Sequence, residues 1–312
     1  MSPLVSIITP CFNGERFIGR FLDSVLNQTY DNLELIIIND GSDDRTEDII
    51  NSYHLMFSDK GIKIIYEYQE NAGQASALNR GLKLFNGEYM TWVDSDDELM
   101  PEYVSAKIKY FQSHPNSAFC YGKIVYVNEN TPKIIEKESD LVEPVDKSYF
   151  ERLLFDVSSI PFNGYMVRSE SLRSVLPSLD IFTGQGGQNA QLLLPLAYEY
   201  GEPDFVCDSV YKYFIRNDSH SHSQDTTEKF IMQLYNYEAI LVETLNRIHG
   251  SQMESYIKRI HLYYARWRFN CSFDSNDSVL IKRQYMELKR EGYASRKDYV
   301  HYLKWRIQFF AR

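Results

Sequence analysis

The chain has 312 residues, about twice the length of an average domain, so it can form one large α/β domain with an appendage or two domains. Hydrophobic residues make up 44% and charged residues 24%, an ordinary globular composition that excludes a largely disordered chain. The formal net charge of −10 argues against a non-specific nucleic-acid-binding protein, because affinity for phosphates requires clustered Lys and Arg.

The four cysteines lie far apart, with no CxxC pair and no His/Cys cluster. This spacing argues against a zinc knuckle and against a disulfide-bonded secreted domain. No apolar run approaches the roughly 18 residues of a membrane-spanning helix, and the first ten residues lack the basic region of a signal peptide. We therefore expect a cytoplasmic protein whose membrane contact, if any, is peripheral.

The first 125 residues alternate strand and helix patterns at the spacing typical of βαβ units and a largely parallel sheet. The predicted strands are short runs rich in β-branched and aromatic residues: Val5–Thr9, Leu33–Asn39, Ile62–Tyr66, Tyr89–Val93 and Ala118–Val127. The predicted helices have apolar residues at helical spacing: Phe17–Gln28, Asp43–Tyr53, Ala72–Phe85 and a helix from Pro101 to His114. Ser42 is the expected N-cap of the second helix.

Beyond residue 125 the pattern changes. Residues 128–147 are polar and contain two prolines, which is typical of an exposed loop or lid. Strand patterns resume at Pro161–Val167 and Phe205–Ile215, with an amphipathic helix at Gln188–Tyr200 between them. From Thr226 onward the pattern predicts three or four helices rich in Tyr and basic residues.

These patterns divide the chain into two domains. We expect an α/β domain at residues 1–224, with one half at about 1–125 and the other at 126–224. A helical bundle is expected at residues 225–312.

Polar and acidic residues follow each of the first four predicted strands. In open α/β sheets, ligands bind beyond the carboxyl ends of the strands, so these segments are expected at one rim of the sheet. The segments are Thr9–Glu15, Asn39–Ser42, Glu70–Gln74 and Asp94–Asp97.

The fourth segment places Asp94, Asp96 and Asp97 within four residues. Their mutual repulsion is most easily relieved by a hard divalent cation such as Mg²⁺ or Mn²⁺, which substrate phosphates would complete. The alternative is an acidic N-cap before the helix at Pro101. The position directly after a strand, in register with the other three segments, favours a metal site.

The second and third segments have the chemistry of a nucleotide site. Asp40 can accept a hydrogen bond from the imide N–H of uracil, although an Asp-Gly-Ser sequence also favours a turn. Asn71, Gly73 and Asn79 are either loop and helix-start residues or nucleotide contacts. The missing GxxxxGK[ST] and GxGxxG motifs argue against a P-loop NTPase and a dinucleotide oxidoreductase.

Residues 6–44, 71–82 and 87–104 resemble the nucleotide-diphosphate-sugar domain of the inverting glycosyltransferases of family 2, which have the GT-A fold. The resemblance spans roughly residues 4–125 and implies a UDP-sugar donor and a divalent metal. Gly73, Asn79 and Ser95 are counted with the donor-binding residues. The roles that the resemblance implies are Pro10, Asn13 and Glu15 along the nucleoside, Asp40 on uracil, Asn71 near the diphosphate, Asp94 on the ribose side and also at the metal, and Asp96 on the metal.

The expected position of the catalytic base differs from that of the family. The family usually supplies it as the Asp of a Glu-Asp pair opening a helix about ninety residues beyond the metal motif, where this chain has Gln188-Asn189. Amides position an acceptor by hydrogen bonds but do not accept its proton. Three residues are candidates to replace the missing carboxylate as the general base: Asp180, His220 and His222. His220 and His222 also fit an exposed loop, and His222 fits a third metal ligand.

The sequence therefore predicts a metal-dependent inverting transferase. It would move a hexose of glucose or galactose type from a UDP-sugar to a glycan, glycoprotein or lipid-linked acceptor, in a bacterial surface polysaccharide or adhesin glycan. One alternative is a nucleotide-sugar-binding protein that has lost catalysis. A second is a sugar nucleotidyltransferase, although the N-terminal loop lacks a Gly-rich, basic triphosphate-binding segment.

The C-terminal part differs in charge from the rest of the chain. From Lys282 to Arg312 it has nine Lys or Arg and three Asp or Glu residues. The segments at 256–268 and 299–312 interleave aromatic and basic residues, as helices on an anionic membrane surface do. Alternatively, the aromatic residues pack the bundle and the charges are solvated. The sequence leaves membrane contact and homodimer formation open.

Overall fold

The computed structural model describes residues 2–129, 134–135, 147–156, 160–184, 186–216, 226–275 and 277–310. The chain divides into two compact units, Met1–His222 and Ser223–Arg312. Each is described by itself below.

The first unit is built on a nine-stranded sheet. Its strands are β1 Val5–Cys11, β2 Leu33–Asp40, β3 Lys63–Gln69, β4 Tyr89–Trp92, β5 Glu98–Leu99, β6 Phe119–Asn128, β7 Ile134–Ile135, β8 Tyr165–Arg168 and β9 Asp204–Ile215. Its helices are α1 Ile18–Leu26, α2 Thr46–Ser52, α3 His54–Asp59, α4 Gln74–Leu84, α5 Tyr103–Ser113, α6 Tyr149–Phe155, α7 Ser169–Val175 and α8 Gln188–Tyr200.

The strand order is β3-β2-β1-β4-β8-β6-β9-β5, with β7 paired to β6. Strands β3, β2, β1 and β4 are parallel, and so are β6 and β9. Strand β8 runs antiparallel to β4 and β6, and β5 runs antiparallel to β9. The four parallel strands bring their carboxyl ends to one rim, as the sequence predicts for an α/β sheet.

Helices cover both faces of the parallel strands, which explains their continuous apolar sequences. Every residue of β1, β2 and β4 is buried. On one face, Phe21 of α1 and Phe57 of α3 join the core formed with Ile7 and Ile37. On the other face, a Cβ added to Gly81 of α4 would lie 2.4 Å from Cγ2 of Ile8, so glycine allows this helix to approach β1 closely.

The predicted N-cap at Ser42 is wrong. Helix α2 begins at Thr46, and Ser42 Oγ instead accepts a hydrogen bond from the Asn13 backbone N–H. The hydroxyl is therefore used between two loops of the rim. Three short helices, α3, α6 and α7, have no counterpart in the sequence prediction.

The second unit contains the helices α9 Thr227–Arg247, α10 Met253–Ser272, α11 Ser278–Arg290 and α12 Arg296–Phe310. Its apolar core joins Ala265, Phe269, Ile281, Tyr285, Leu288 and Tyr302. No helix among the described residues is long and apolar enough to cross a membrane.

A buried cation lies within the second unit. The Arg268 side chain is 2% exposed and forms ion pairs with Glu238 and, at 3.6 Å, with Glu287. Its guanidinium also lies 3.9 Å from the centre of the Tyr235 ring. The charge of Arg268 is thus neutralised inside the bundle.

Candidate active site

The loops after β1 and β2 are bound to one another. Asn13 accepts a hydrogen bond from Asp43 N at 3.0 Å, and Glu15 accepts one from Arg45 N at 3.1 Å. Asn13 has a φ of 49°, a left-handed conformation that Asn tolerates better than most residues. Pro10 is buried within β1, opposite Ile38. These bonds place Asn13 and Glu15 at the rim, while their nucleoside contacts stay a prediction.

Asp40, at the end of β2, anchors the loop after β3. Its Oδ1 accepts hydrogen bonds from Gln69 Nε2 at 2.6 Å and Ala72 N at 2.9 Å, and its Oδ2 accepts one from Gly73 N at 2.9 Å. Gly73 has a φ of 89° and precedes α4, and Asn71 is exposed in the same loop. The buried Asp40 therefore has a structural role that the sequence analysis missed, and its contact with uracil stays a prediction.

Asn79 and Asp180 lie along α4, away from the rim. The Asn79 amide bonds both the N–H and the C=O of Ile181, at 2.7 and 2.8 Å. Asp180 pairs with Lys83 at 3.5 Å. Lys83 comes nine residues after Gln74, about 13 Å along the helix axis, and Gln74 is the residue of α4 that reaches Asp94. This placement makes Asp180 a poor candidate for the catalytic base. Asn79 instead fixes the backbone at Ile181 against α4.

The acidic residues after β4 form a compact cluster. Asp94, Asp96 and Asp97 each offer a carboxylate oxygen within 4.8 Å of the others. Asp97 is buried, and it accepts hydrogen bonds from Tyr211 Oη at 2.5 Å and Phe214 N at 3.0 Å. Strand β9 therefore holds Asp97, while Asp94 and Asp96 are partly exposed at the rim.

Two arginines hold Asp96. Arg216 Nη2 lies 2.7 Å from Asp96 Oδ2, and Arg20 Nη2 donates to the Asp96 carbonyl. The Arg216 guanidinium lies 3.9 Å from the centre of the Phe17 ring, and that of Arg20 lies 3.5 Å from the centre of the Phe214 ring. A guanidinium thus already occupies one side of the Asp96 carboxylate.

Burial and mutual repulsion perturb the cluster. Burial, together with the charge of Asp96, raises the pKa of Asp94 to about 7, against opposing hydrogen bonds from Gln74 and Asn163. Burial and the two neighbouring carboxylates raise the pKa of Asp97 well above its usual range. Ser95 hydrogen-bonds the thiol of Cys11, whose pKa burial raises to about 12. Oxygen ligands carrying excess negative charge fit Mg²⁺ or Mn²⁺, with Asp94 and Asp96 as the accessible ligands.

The N-terminus of α8 reaches the same place. Asn189 Oδ1 accepts a hydrogen bond from Trp92 Nε1 at 2.7 Å, and Asn189 Nδ2 donates to Asn163 Oδ1 at 3.2 Å. Asn163 also hydrogen-bonds Asp94, so it links the base position expected from the resemblance to the acidic cluster. Gln188 is the first residue of α8 and is partly exposed.

Sequence reasoning missed Asn163, Tyr211 and Arg20. The Asn-Gly pair at 163–164, which precedes β8, is a turn signal that could have marked the first of them. His220 and His222 lie outside the described residues, and their proposed roles stay predictions.

Comparison with solved structures identifies the fold class of the first unit and its neighbours. The GT-A fold is shown by structural neighbours. S. aureus TarS 1–349 in complex with UDP-GlcNAc has a TM-score of 0.63 at 17% identity, covering 91% of this chain and 79% of that one. The mannosyltransferase PcManGT from Pyrobaculum calidifontis, in complex with GDP-Man and Mn²⁺, has a TM-score of 0.56 at 14% identity, covering 99% of this chain and 81% of that one.

Sequence comparison gives the family. The model of glycosyl transferase family 2 matches residues 6–175. An uncharacterized glycosyltransferase of Rickettsia typhi is 34% identical over 256 residues, which cover 81% of this chain and 74% of the relative. Glycosyltransferase GlyA of Streptococcus pneumoniae is 32% identical over 192 residues, 52% of this chain and 27% of GlyA. The chain belongs to glycosyl transferase family 2 and is a transferase, as the resemblance predicted.

Proposed function

We propose that the chain is a metal-dependent inverting glycosyltransferase that moves a hexose from a UDP-sugar to a glycan, glycoprotein or lipid-linked acceptor of a bacterial surface. The observation that carries the proposal is the cluster of Asp94, Asp96 and Asp97 at the carboxyl rim of the sheet. The structural neighbours support a nucleotide-sugar donor, since TarS was crystallised with UDP-GlcNAc and PcManGT with GDP-Man and Mn²⁺. We assign donor binding to residues of about 1–125 and acceptor contacts to 126–224.

Each group at the rim has a role in this proposal. Asp96 and Asp94 would hold the cation, with His222 as a further candidate ligand. Bound Mn²⁺ or Mg²⁺ would neutralise the charge on the departing diphosphate. Asn13, Glu15 and Asp40 face the nucleoside, and Asn71, Gly73 and Ser95 lie nearer the phosphates and ribose.

The acceptor side depends on amides. Gln188 and Asn189 orient the acceptor hydroxyl, because their amides donate and accept hydrogen bonds without changing charge. We propose that His220 or His222 accepts the proton, since an imidazole titrates near neutral pH. The transfer is then a single displacement with inversion.

A donor screen tests this proposal. Purified protein with Mn²⁺ is assayed for hydrolysis and transfer with UDP-Glc, UDP-Gal, UDP-GlcNAc, UDP-GalNAc and GDP-Man. We expect one UDP-sugar to be preferred and the Asp96→Asn variant to lose at least about a hundredfold in rate, a loss typical of removing a key electrostatic contact. Asp59→Asn, an exposed carboxylate at the end of α3, is the matched control. Full activity of Asp96→Asn would overturn the proposal.

Asn189 favours a second candidate, a nucleotide-sugar-binding protein with impaired catalysis. The amide stands where the family usually has a carboxylate, and it is engaged by Trp92 and Asn163. In Asn189→Asp, the side chain still accepts from Trp92 but no longer donates to Asn163. A large gain in turnover in this variant at unchanged UDP affinity would favour the second candidate. Turnover by the wild-type chain with no gain in the variant would favour the first.

A further inference from the structure

Helix α11 presents an outward stripe of mixed character. Six of its residues are exposed at helical spacing: Val279, Lys282, Arg283, Met286, Lys289 and Arg290. Val279 is 72% and Met286 52% exposed. They are seven residues apart, which places them about 20° from one another on the helix. The two lysines lie on one side of this apolar centre and the two arginines on the other.

Helix α12 repeats the arrangement. Val300 and Ile307, 47% and 69% exposed, are also seven residues apart. Lys297 and Lys304 lie on one side of them and Arg306 on the other, all exposed. The inner face of α12 instead packs through Tyr302 and Trp305 against the core of the bundle. Packing within this unit therefore does not account for the exposed apolar residues.

The two stripes adjoin. Residues 291–295 connect α11 to α12, and the ring of Tyr285 lies 4.2 Å from that of Tyr302 and 6.5 Å from that of Tyr299, measured between centroids. Tyr299 is itself 50% exposed, so the contact between the helices borders their outward stripes. We call the two stripes together the hairpin face.

The charge of the hairpin face is almost uniformly positive. All eight described Lys and Arg residues of α11 and α12 are exposed. Of the acidic residues, Glu287 pairs with Arg268 inside the bundle, and Asp298 bonds Ser295 and lies 3.6 Å from Arg266. Glu291 lies at the end of α11, beside Arg290. The whole chain, in contrast, carries a net charge of −10.

We propose that the hairpin face docks on the surface of a bilayer with anionic headgroups. An apolar centre with basic flanks suits a helix that lies flat on a bilayer. The apolar residues insert between the headgroups as far as the acyl chains, and the basic residues contact the anionic headgroups. A soluble polyanion would engage the cations but leave Val279, Met286, Val300 and Ile307 in water. The exposed apolar residues therefore favour a bilayer over a soluble polyanion as the partner of this face.

Vesicle sedimentation of the full chain tests the proposal. We expect binding to phosphatidylcholine vesicles containing about one third phosphatidylglycerol to be at least about tenfold stronger than to phosphatidylcholine alone, and to weaken with salt. The double variant Met286→Ser/Ile307→Ser should lose at least about fivefold in affinity for the anionic vesicles at an unchanged melting temperature. Met232→Ser, which changes an apolar residue of α9 that is 59% exposed, is the matched control.

Two results would overturn the proposal. One is equal binding of the double variant and the wild-type chain to anionic vesicles. The other is binding to dextran sulfate as strong as to anionic vesicles and unaffected by the double substitution, which would identify a soluble polyanion as the occupant. Neither readout uses sugar transfer, so both are independent of the proposed function.

Discussion

Arg268 in the helical unit and Asp97 in the α/β unit are both almost fully buried, at 2% and 1% exposure, and are satisfied in opposite ways. Arg268 is paired with the carboxylates of Glu238 and Glu287. Asp97 accepts hydrogen bonds from a tyrosine hydroxyl and a backbone N–H, neither of which carries charge. Arg268 thus has counter-ions inside the bundle, whereas the hydrogen-bond partners of Asp97 are uncharged, and burial together with the neighbouring carboxylates raises the pKa of Asp97 well above its usual range.

The difference separates a structural ion pair from a binding site. A buried charge with an internal counter-ion contributes to a particular packing and offers little to a ligand. Carboxylates whose pKa values are raised by burial and by one another gain most from an external cation. Neutralising a charged residue should therefore have opposite effects on stability in the two units.

The largest expected effect is in the helical unit. Replacing Arg268 with Met leaves Glu238 and Glu287 without their buried counter-ion, and breaking such a pair from one side costs about 3–5 kcal/mol in free energy of unfolding. Urea unfolding of the full chain measures it. Lys258→Gln, which removes an exposed ion pair with Glu254, is the control and should leave stability nearly unchanged. A similarly small effect of Arg268→Met would remove the contrast between the units.

Neutralising a carboxylate at the rim should instead stabilise the folded chain. The pKa of Asp94 is raised from its ordinary value of 3.8 to about 7 in the folded chain, so the protonated carboxyl is favoured in the folded state. Its stabilising contribution is complete below pH 4 and is lost as the pH rises through about 7, an effect on the order of 4 kcal/mol. With a chelator present, the melting temperature of the wild-type chain should fall as the pH rises from 5 to 8. The Asp94→Asn variant should show a smaller fall over the same range, that is, a smaller slope. An unchanged slope in the variant would contradict the raised pKa of Asp94.

Arg216 gives the smallest expected effect. Its guanidinium lies 2.7 Å from the Asp96 carboxylate, at the face that a metal would use. Partly exposed ion pairs contribute up to about 1 kcal/mol, so removing this competitor should tighten Mn²⁺ binding without nucleotide by up to about fivefold. Titration calorimetry compares Arg216→Gln with Arg45→Gln, an exposed arginine before α2. Weaker Mn²⁺ binding in Arg216→Gln would show that Arg216 supports the metal site and does not compete with it.

Local patterns predicted the elements of the first half well. Strand β2 was expected at Leu33–Asn39 and runs from Leu33 to Asp40, and helix α8 was expected and found at Gln188–Tyr200. Buried parallel strands and amphipathic helices carry their periodicity in consecutive residues, so these elements are visible in one sequence. The family and the GT-A fold were instead expected from the resemblance of residues 6–44, 71–82 and 87–104 to family 2, and the grouping of Asp94, Asp96 and Asp97 from their spacing after a strand.

The partners of those carboxylates could not be predicted. Tyr211 and Phe214 reach Asp97 because β9 pairs with β5, which joins residues more than a hundred positions apart. Asn163 reaches both Asp94 and Asn189 for a similar reason, through the insertion of β8 between β4 and β6. Ser42 was misassigned because its hydroxyl serves a neighbouring loop and not its own helix. Long-range pairing decides each of these contacts.

If the acidic cluster holds a divalent cation, the affinity of the protein for UDP should depend on Mn²⁺. Titration calorimetry with well-folded wild-type protein should give a UDP affinity at least about tenfold higher with saturating Mn²⁺ than with a chelator, since a bound cation would offset the repulsion between the carboxylates and the diphosphate. The Asp96→Asn variant should lose that difference. Equal UDP affinity with and without Mn²⁺ in the wild-type chain would contradict the account.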